Sequence, residues 1–383
     1  MKSLSTRTQF FGDSVFGKMS HLARKHNAIN LGQGFPDFDG PQWIRDIVKK
    51  KIDNGDNQYA PFPGTPSLRQ SISGYMKHFY DLSYDPNDHI SVTAGATEAI
   101  FAAIMAMISP GDEVIIFEPF YDSYVTSIQM AGGVPIPVTL HAPEFDINFE
   151  ELEAAISDKT KMIIFNNPQN PSGKVFSKNT IQQLCDTTIK NDLYLMSDEV
   201  YEFLVFDGIK HLPTATFENM WERTLTISSG GKIFGFTGWK IGWVCANAEI
   251  SENIRKVHQY ITFSVSTPMQ EGYAEALKLE NFSTYIPEYQ KSYQKMRDTF
   301  YSGLFDAGFH PIKSQATYFM LLPISDLTDK NDIGYAEELV ESKKVASIPP
   351  SAFYLKSDDG SKYLRFCFAK KVETLREAIS RLS

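Results

Sequence analysis

The strongest constraint on the fold is an alternation in the middle of the chain. Short β-rich runs, "DEVIIFE" (112–118), "KMIIFN" (161–166), "LYLMSD" (193–198), "TLTIS" (224–228) and "GWVCA" (242–246), alternate with amphipathic helical patterns such as "ATEAIFAAIMAMI" (96–108) and "KNTIQQLCDTTIKN" (178–191). That rhythm predicts an α/β domain built on a mostly parallel sheet flanked by helices. In open sheets of this kind ligands gather beyond the carboxyl ends of the strands. The residues just after each run are therefore the ones whose chemistry matters.

After residue 280 the texture changes. A helical pattern over 285–308 leads into "ATYFMLLPI" (316–324), a helical stretch near 333–344 and "KYLRFCFA" (362–369), which reads as a smaller α+β domain. The expected division is an N-terminal arm over 1–45 that joins the small domain, a large domain over 46–282 and a C-terminal small domain over 283–383. At 383 residues the chain is too long for one ordinary domain. A net charge of −9 argues against nucleic acid or an anionic membrane as a partner of the whole surface, so any anion site has to be local. No run approaches the ~20 apolar residues of a membrane span, and "MKSLSTRTQFFGDSVFG" at the N-terminus lacks the apolar stretch of a signal peptide. Cys185, Cys245 and Cys367 form neither a disulfide framework nor a metal-ligand spacing, and suit a reducing cytosol.

Each strand end allows a plain reading and a chemical one. "VTAGATEAI" (92–100) is an ordinary helix cap, or a cup whose backbone N–H groups at Gly95, Ala96 and Thr97 receive a phosphate. Tyr121 in "FEPFYDSY" packs under a loop or stacks on a flat ring. "FNNPQNPSGKVF" (165–176) is rich in turn residues, and Asn170 either serves the turn or aims its amide at a phenolic oxygen. Asp198 in "MSDEVYEFL" is a helix N-cap or a partly buried carboxylate that needs a cationic partner, such as a protonated pyridine nitrogen.

"SSGGKIFGFTGWK" (228–240) is a flexible basic loop, or a catalytic amine with a phosphate clamp around it. A lysine inside a pocket is costly unless its amine is neutralised or used covalently. Lys232 would take an aldehyde, Ser229 and Lys240 an anionic tail, and Gly230 and Gly231 would let the backbone approach the cofactor. Taken together these groups are what pyridoxal phosphate needs.

At this point the chain resembles the fold-type I pyridoxal-phosphate aminotransferases (class I/II), closest in texture to methionine and kynurenine (glutamine-type) members. The resemblance is carried by "LGQGFPDFDGP" (31–41), "NQYAP" (57–61), "VTAGATEA" (92–99), "NNPQNPSGKVF" (166–176), "SDEVYE" (197–202), "SSGGKIFGFTGWKIGW" (228–243), "IRKVHQYITFSVSTPMQ" (254–270) and "YLRFCFAKK" (363–371). It implies that Lys232 bonds the aldehyde, Asp198 keeps the pyridine nitrogen protonated, and Tyr201 and Asn170 partner the ring oxygen. Tyr121 would stack on the ring, and Ala96, Thr97, Ser229 and Lys240 would hold the phosphate. Tyr59 would reach the phosphate of a neighbouring subunit. Arg365 would clamp the substrate carboxylate, with Gly34 and Asn170 beside it; Phe263 would cross into the partner's pocket, and Phe16, a looser match, would cover the substrate side chain. Lys240 stands where aspartate-type members have arginine. Thr97 stands where some kynurenine-type members have tyrosine.

The resemblance implies ping-pong amino transfer in a cytoplasmic homodimer, with medium apolar or aromatic amino acids as donors, since no second arginine is evident for a side-chain carboxylate. A β-lyase acting on cysteine S-conjugates is the alternative on the same scaffold. A non-catalytic sensor would need a DNA-binding module, for which this N-terminus is too short and insufficiently basic.

Overall fold

The computed structural model describes residues 5–8, 12 and 14–383; the rest of the 1–45 arm, including the other N-terminal residues read above, lies outside the described residues. Its centre is a seven-stranded sheet made of β2 (Ile90–Thr93), β3 (Glu113–Glu118), β4 (Val134–Thr139), β5 (Thr160–Asn166), β6 (Tyr194–Asp198), β7 (Thr224–Ser229) and β8 (Gly242–Cys245). The spatial order is β2-β8-β7-β6-β5-β3-β4. All pairings are parallel except those of β8, which runs antiparallel to both β2 and β7. The mostly parallel α/β sheet read from the sequence is thus present, with one reversed strand inside it.

That reversal positions the site. β2, β3, β5, β6 and β7 all end on one edge, and β8 begins there. Gly242, its first residue, lies opposite both Thr93 and Ser229. The segment ahead of β8 is therefore delivered to the edge where the other strands finish.

The pattern of short β-rich runs misses β4, whose "VPIPVT" contains two prolines. The register explains how it forms. Val134 N donates to Asp112 O and Leu140 N to Glu118 O, so even-numbered residues bond to β3. Pro135 and Pro137 then face the open edge, where a missing N–H costs nothing.

Two small sheets lie outside this one. β1 (Ile29–Asn30) pairs in parallel with β10 (Val345–Ala346), and β9 (Phe319–Pro323) pairs antiparallel with β11 (Tyr363–Cys367), setting Arg365 opposite Leu321. One apolar cluster joins Met19, Ala23 and Leu31 of the arm to Phe300 and Leu304 of the helix Leu279–Asp306 and to Phe366 and Phe368. That helix starts six residues before the sequence pattern suggests, and it contains Pro287. Among the described residues no helix is long and apolar enough to cross a membrane, and all three cysteines are buried and free.

Candidate active site

The strand ends and the arm enclose a cavity of about 280 Å³. Its walls include Ala96, Thr97, Tyr121, Asn170, Asp198, Tyr201, Ser229, Lys232, Lys240, Gly34, Arg365 and Phe16. Tyr59 and Phe263 lie elsewhere. They pack edge to face on each other at 5.4 Å, and Tyr59 is 83% exposed. In a single chain neither reaches the cavity.

At one end of the cavity the helix Gly95–Met107 starts directly after β2. Its first turn points unpaired backbone N–H groups outward, a natural anion seat. Gly95 has φ +76°, and a Cβ there would lie 3.1 Å from Lys240 Nζ. The missing side chain lets the lysine cross the helix mouth. Lys240 itself is left-handed at φ 53°. On the far side, Gly242 presses so closely that a Cβ would come within 2.6 Å of Ala96 N. Ser229 completes this end, its hydroxyl donating to Ile241 O at 3.3 Å.

The Gly-rich stretch is not a flexible loop. Gly230–Ile233 forms a short helical turn. Gly230 turns away from the cavity, where a Cβ would lie 2.7 Å from the Tyr273 ring, and only Gly231 of the pair lines the cavity. The role expected of Gly230, cofactor approach, is thereby corrected to packing. The turn is gripped by tyrosines: the Tyr289 hydroxyl donates to Lys232 O and that of Tyr285 to Ile233 O. Lys232 Nζ donates to the Tyr318 hydroxyl oxygen. Burial holds its ammonium below the usual lysine value, at about 8.

Asp198 ends β6, 3% exposed. Burial pushes its carboxyl up to about 6, opposed by hydrogen bonds from Tyr124 and from the Val200 N–H. Among the described residues no basic side chain lies within ion-pair distance of it. Beside it, Asn166 Nδ2 donates to Asp198 O at 2.9 Å, and Asn166 Oδ1 accepts from Asn170 N at 2.7 Å. The Asn-Pro turn is thus tied to the end of β6.

Arg365 comes from β11 and is 2% exposed. Its guanidinium carbon lies over neighbouring rings, 4.0 Å from the Phe319 centroid and 5.1 Å from that of Phe16. One terminal nitrogen donates to Gly32 O at 3.0 Å and the other to Asn170 Oδ1 at 3.3 Å, while Nε has no partner among the described residues. Burial lowers it to about 10. It too lacks a carboxylate within ion-pair distance among the described residues. A Cβ on Gly34 would lie 2.9 Å from the Phe319 ring, so only glycine lets the arm close over this end.

Sequence reasoning missed Tyr124, Tyr318, Phe319 and Asn166. Tyr124 was signalled by its place one helical turn after Tyr121. Asn166 lay in plain view as the first residue of the "NNPQNPSGKVF" turn, while Tyr318 and Phe319 carried no distinguishing local pattern.

A buried carboxylate and a buried guanidinium, each without an ion-pair partner among the described residues, face one cavity with an anion seat and an amine. Such an arrangement suits a cofactor with a cationic ring nitrogen and an anionic tail, and a substrate carboxylate. The chain belongs to the family of class I and II aminotransferases, which it matches over residues 26–382; members of that family use pyridoxal 5′-phosphate. It is 41% identical to a kynurenine–oxoglutarate transaminase of Dictyostelium discoideum, over 99% of this chain and 95% of the relative. It is 39% identical to a methionine aminotransferase of Escherichia coli, over 97% and 95%. Its fold superposes on N-succinyldiaminopimelate aminotransferase from Mycobacterium tuberculosis with a TM-score of 0.96 at 38% identity, covering 99% of both chains. The protein is an aminotransferase.

Proposed function

We propose that the protein moves an amino group from a medium apolar or aromatic amino acid, such as methionine, phenylalanine or glutamine, to a 2-oxo acid by a ping-pong mechanism. One observation carries this reading. Among the described residues the basic side chains lining the cavity are Lys232, Lys240 and Arg365. With Lys240 at the phosphate end and Lys232 at the centre, Arg365 is left for the α-carboxylate, and a side-chain carboxylate would find no further partner among these three. The walls beside Arg365 are instead aromatic, with Phe16 and Phe319.

The residues present fit pyridoxal 5′-phosphate. Ala96, Thr97, Ser229 and Lys240 would hold its phosphate, Tyr121 its ring face, Asn170 and Tyr201 its phenolic oxygen and Asp198 its ring nitrogen. When bound, the group supplies an aldehyde that takes up amines and a ring that accepts an electron pair. Asp198 holds the proton at the ring nitrogen. Arg365 orients the substrate by a planar, bidentate grip on its carboxylate. Lys232, whose amine is partly neutral near pH 8, would take the proton from the α-carbon of the amino donor in the first half-reaction and deliver one to the α-carbon of the 2-oxo acid in the second. The Asp198 carboxylate and the Tyr201 hydroxyl complete the catalytic set.

Tyr59 and Phe263 form an exposed aromatic pair outside the cavity. This supports a homodimer in which each completes the partner's pocket. Cytosolic residence belongs to the same proposal and is supported by the free cysteines. So does the division at 46–282 and 283–383, because the seven-stranded sheet lies wholly inside the first range and β9, β10 and β11 inside the second.

The test is incubation of purified, cofactor-loaded protein with methionine and a panel of 2-oxo acids, assayed for the new amino acid. Amino exchange with methionine or phenylalanine is the expected result. Release of ammonia and a 2-oxo acid from a cysteine S-conjugate without amino exchange would make it a β-lyase. Preference for N-succinyldiaminopimelate would overturn the apolar reading.

A further inference from the structure

We propose that Tyr318 is a positioning residue for the catalytic lysine, its hydroxyl fixing the direction of the Lys232 amine. The inference rests on Lys232 being the reactive amine, as proposed above. Tyr318 is 1% exposed, and its O–H donates to Gly34 O at 2.7 Å. A tyrosine hydroxyl has one proton, and here it is committed to the carbonyl. The oxygen therefore shows lone pairs to its other neighbours, the Tyr201 side chain and Lys232 Nζ, and Lys232 Nζ donates to it. The relay runs in one direction, from lysine to tyrosine to the Gly34 carbonyl.

The backbone is bent to achieve this. Thr317, just before Tyr318, is a β-branched residue in the left-handed region at φ 66°, an uncommon and strained choice. It is held there by its N–H to Leu204 O at 2.8 Å and by its hydroxyl, which accepts from Phe319 N at 3.1 Å. The bend sets consecutive side chains on two functional groups, Tyr318 on Lys232 and Phe319 under Arg365. Tyr201 braces the Tyr318 ring edge-on at 5.3 Å.

The consequence is twofold. Lysine has four rotatable side-chain bonds, and with one N–H engaged by Tyr318 the rest of the amine faces the cavity. The charges around the amine are set by Cys367 and Asp198, which oppose the downward push of burial on Lys232, and by Arg365 and Lys240, which add to it; an acceptor oxygen at Tyr318 also favours ammonium over neutral amine.

The test is Tyr318→Phe, which removes only the hydroxyl. In cofactor-free protein, Lys232 is titrated through the pH dependence of its acetylation by acetic anhydride, read by peptide mass spectrometry. Its pKa is expected to fall by about 0.5–1 unit, the scale of one lost hydrogen bond to a charged group. In loaded enzyme, single-turnover reaction with methionine at pH 8 is expected to slow about 10-fold with half-saturating methionine unchanged, as for one hydrogen bond lost from a positioned group. A Lys232 titration that does not move overturns the proposal, whatever the activity. Absence of amino exchange in the unaltered enzyme would overturn the proposed function instead and leave the titration decisive for Tyr318. Should the phenylalanine variant not fold, 3-fluorotyrosine at position 318 weakens the acceptor and is expected to lower the Lys232 pKa by a smaller amount.

Discussion

Asp198→Asn separates what this site does for stability from what it does for chemistry. In cofactor-free protein the Asp198 carboxyl titrates at about 6 rather than 3.8, chiefly because it is buried. A folded-state pKa raised above the unfolded value means that folding favours the protonated form. The stability difference is absent below the unfolded pKa, grows as pH rises from 3.8 to 6 and is complete above that. About two units at ~1.4 kcal/mol each make the ionised carboxylate cost about 3 kcal/mol. Asparagine keeps the shape but never ionises; its oxygen accepts from the Val200 N–H, and its NH2 takes the place of the oxygen that faces Tyr124, whose hydroxyl turns to accept. Cofactor-free Asp198→Asn is therefore expected to be more stable than the parent at pH 8 by about 2–3 kcal/mol, with the gap shrinking through pH 6 and closing near pH 4. Urea denaturation at pH 8 and pH 5 measures it. In loaded protein the same change should cut amino transfer about 100-fold or more, the scale of removing one pre-placed charge from a reacting system. A cofactor-free variant less stable than the parent at pH 8, or a gap that ignores pH, would refute the view that Asp198 is held ionised against its surroundings for the cofactor's sake.

Arg365→Lys should raise the half-saturating amino acid concentration about 100-fold, through loss of a bidentate grip, with a much smaller effect on kcat; steady-state kinetics separate the two. Gly242→Ala places a Cβ 2.6 Å from Ala96 N, so the helix mouth must shift, with an expected loss of about 1–3 kcal/mol and faster release of cofactor on dialysis. Mixing Tyr59→Ala and Lys232→Ala chains, each nearly inactive alone, should restore activity once subunits exchange, because hybrid dimers would then contain one complete site. No recovery after proven exchange rules out sharing.

Much of the candidate site was legible because its signals are local. The Ser229-to-Lys232 spacing, Asp198 at the end of "LYLMSD", and the glycine ahead of the helix at 96–108 are all read within a few residues. Other parts were not. The prolines of β4 obscure a strand that only the sheet edge permits. Gly230 looks like a cofactor contact until Tyr273 is found against it. Tyr124, Tyr318 and Phe319 take their roles from partners 74, 86 and 46 residues away in sequence.

The sequence alone determined the alternation of strand and helix, and with it the α/β class and the edge where chemistry gathers. Periodicity and strand-end position are properties of short windows. Tertiary structure alone decided that β8 runs backwards between β2 and β7, bringing Lys240 across the mouth of the helix Gly95–Met107. It alone showed that Asp198 and Arg365 are buried without an ion-pair partner among the described residues, and that Tyr59 and Phe263 stand outside their own chain's cavity. Strand order and burial depend on contacts between distant segments, and no window of sequence contains both sides of such a contact.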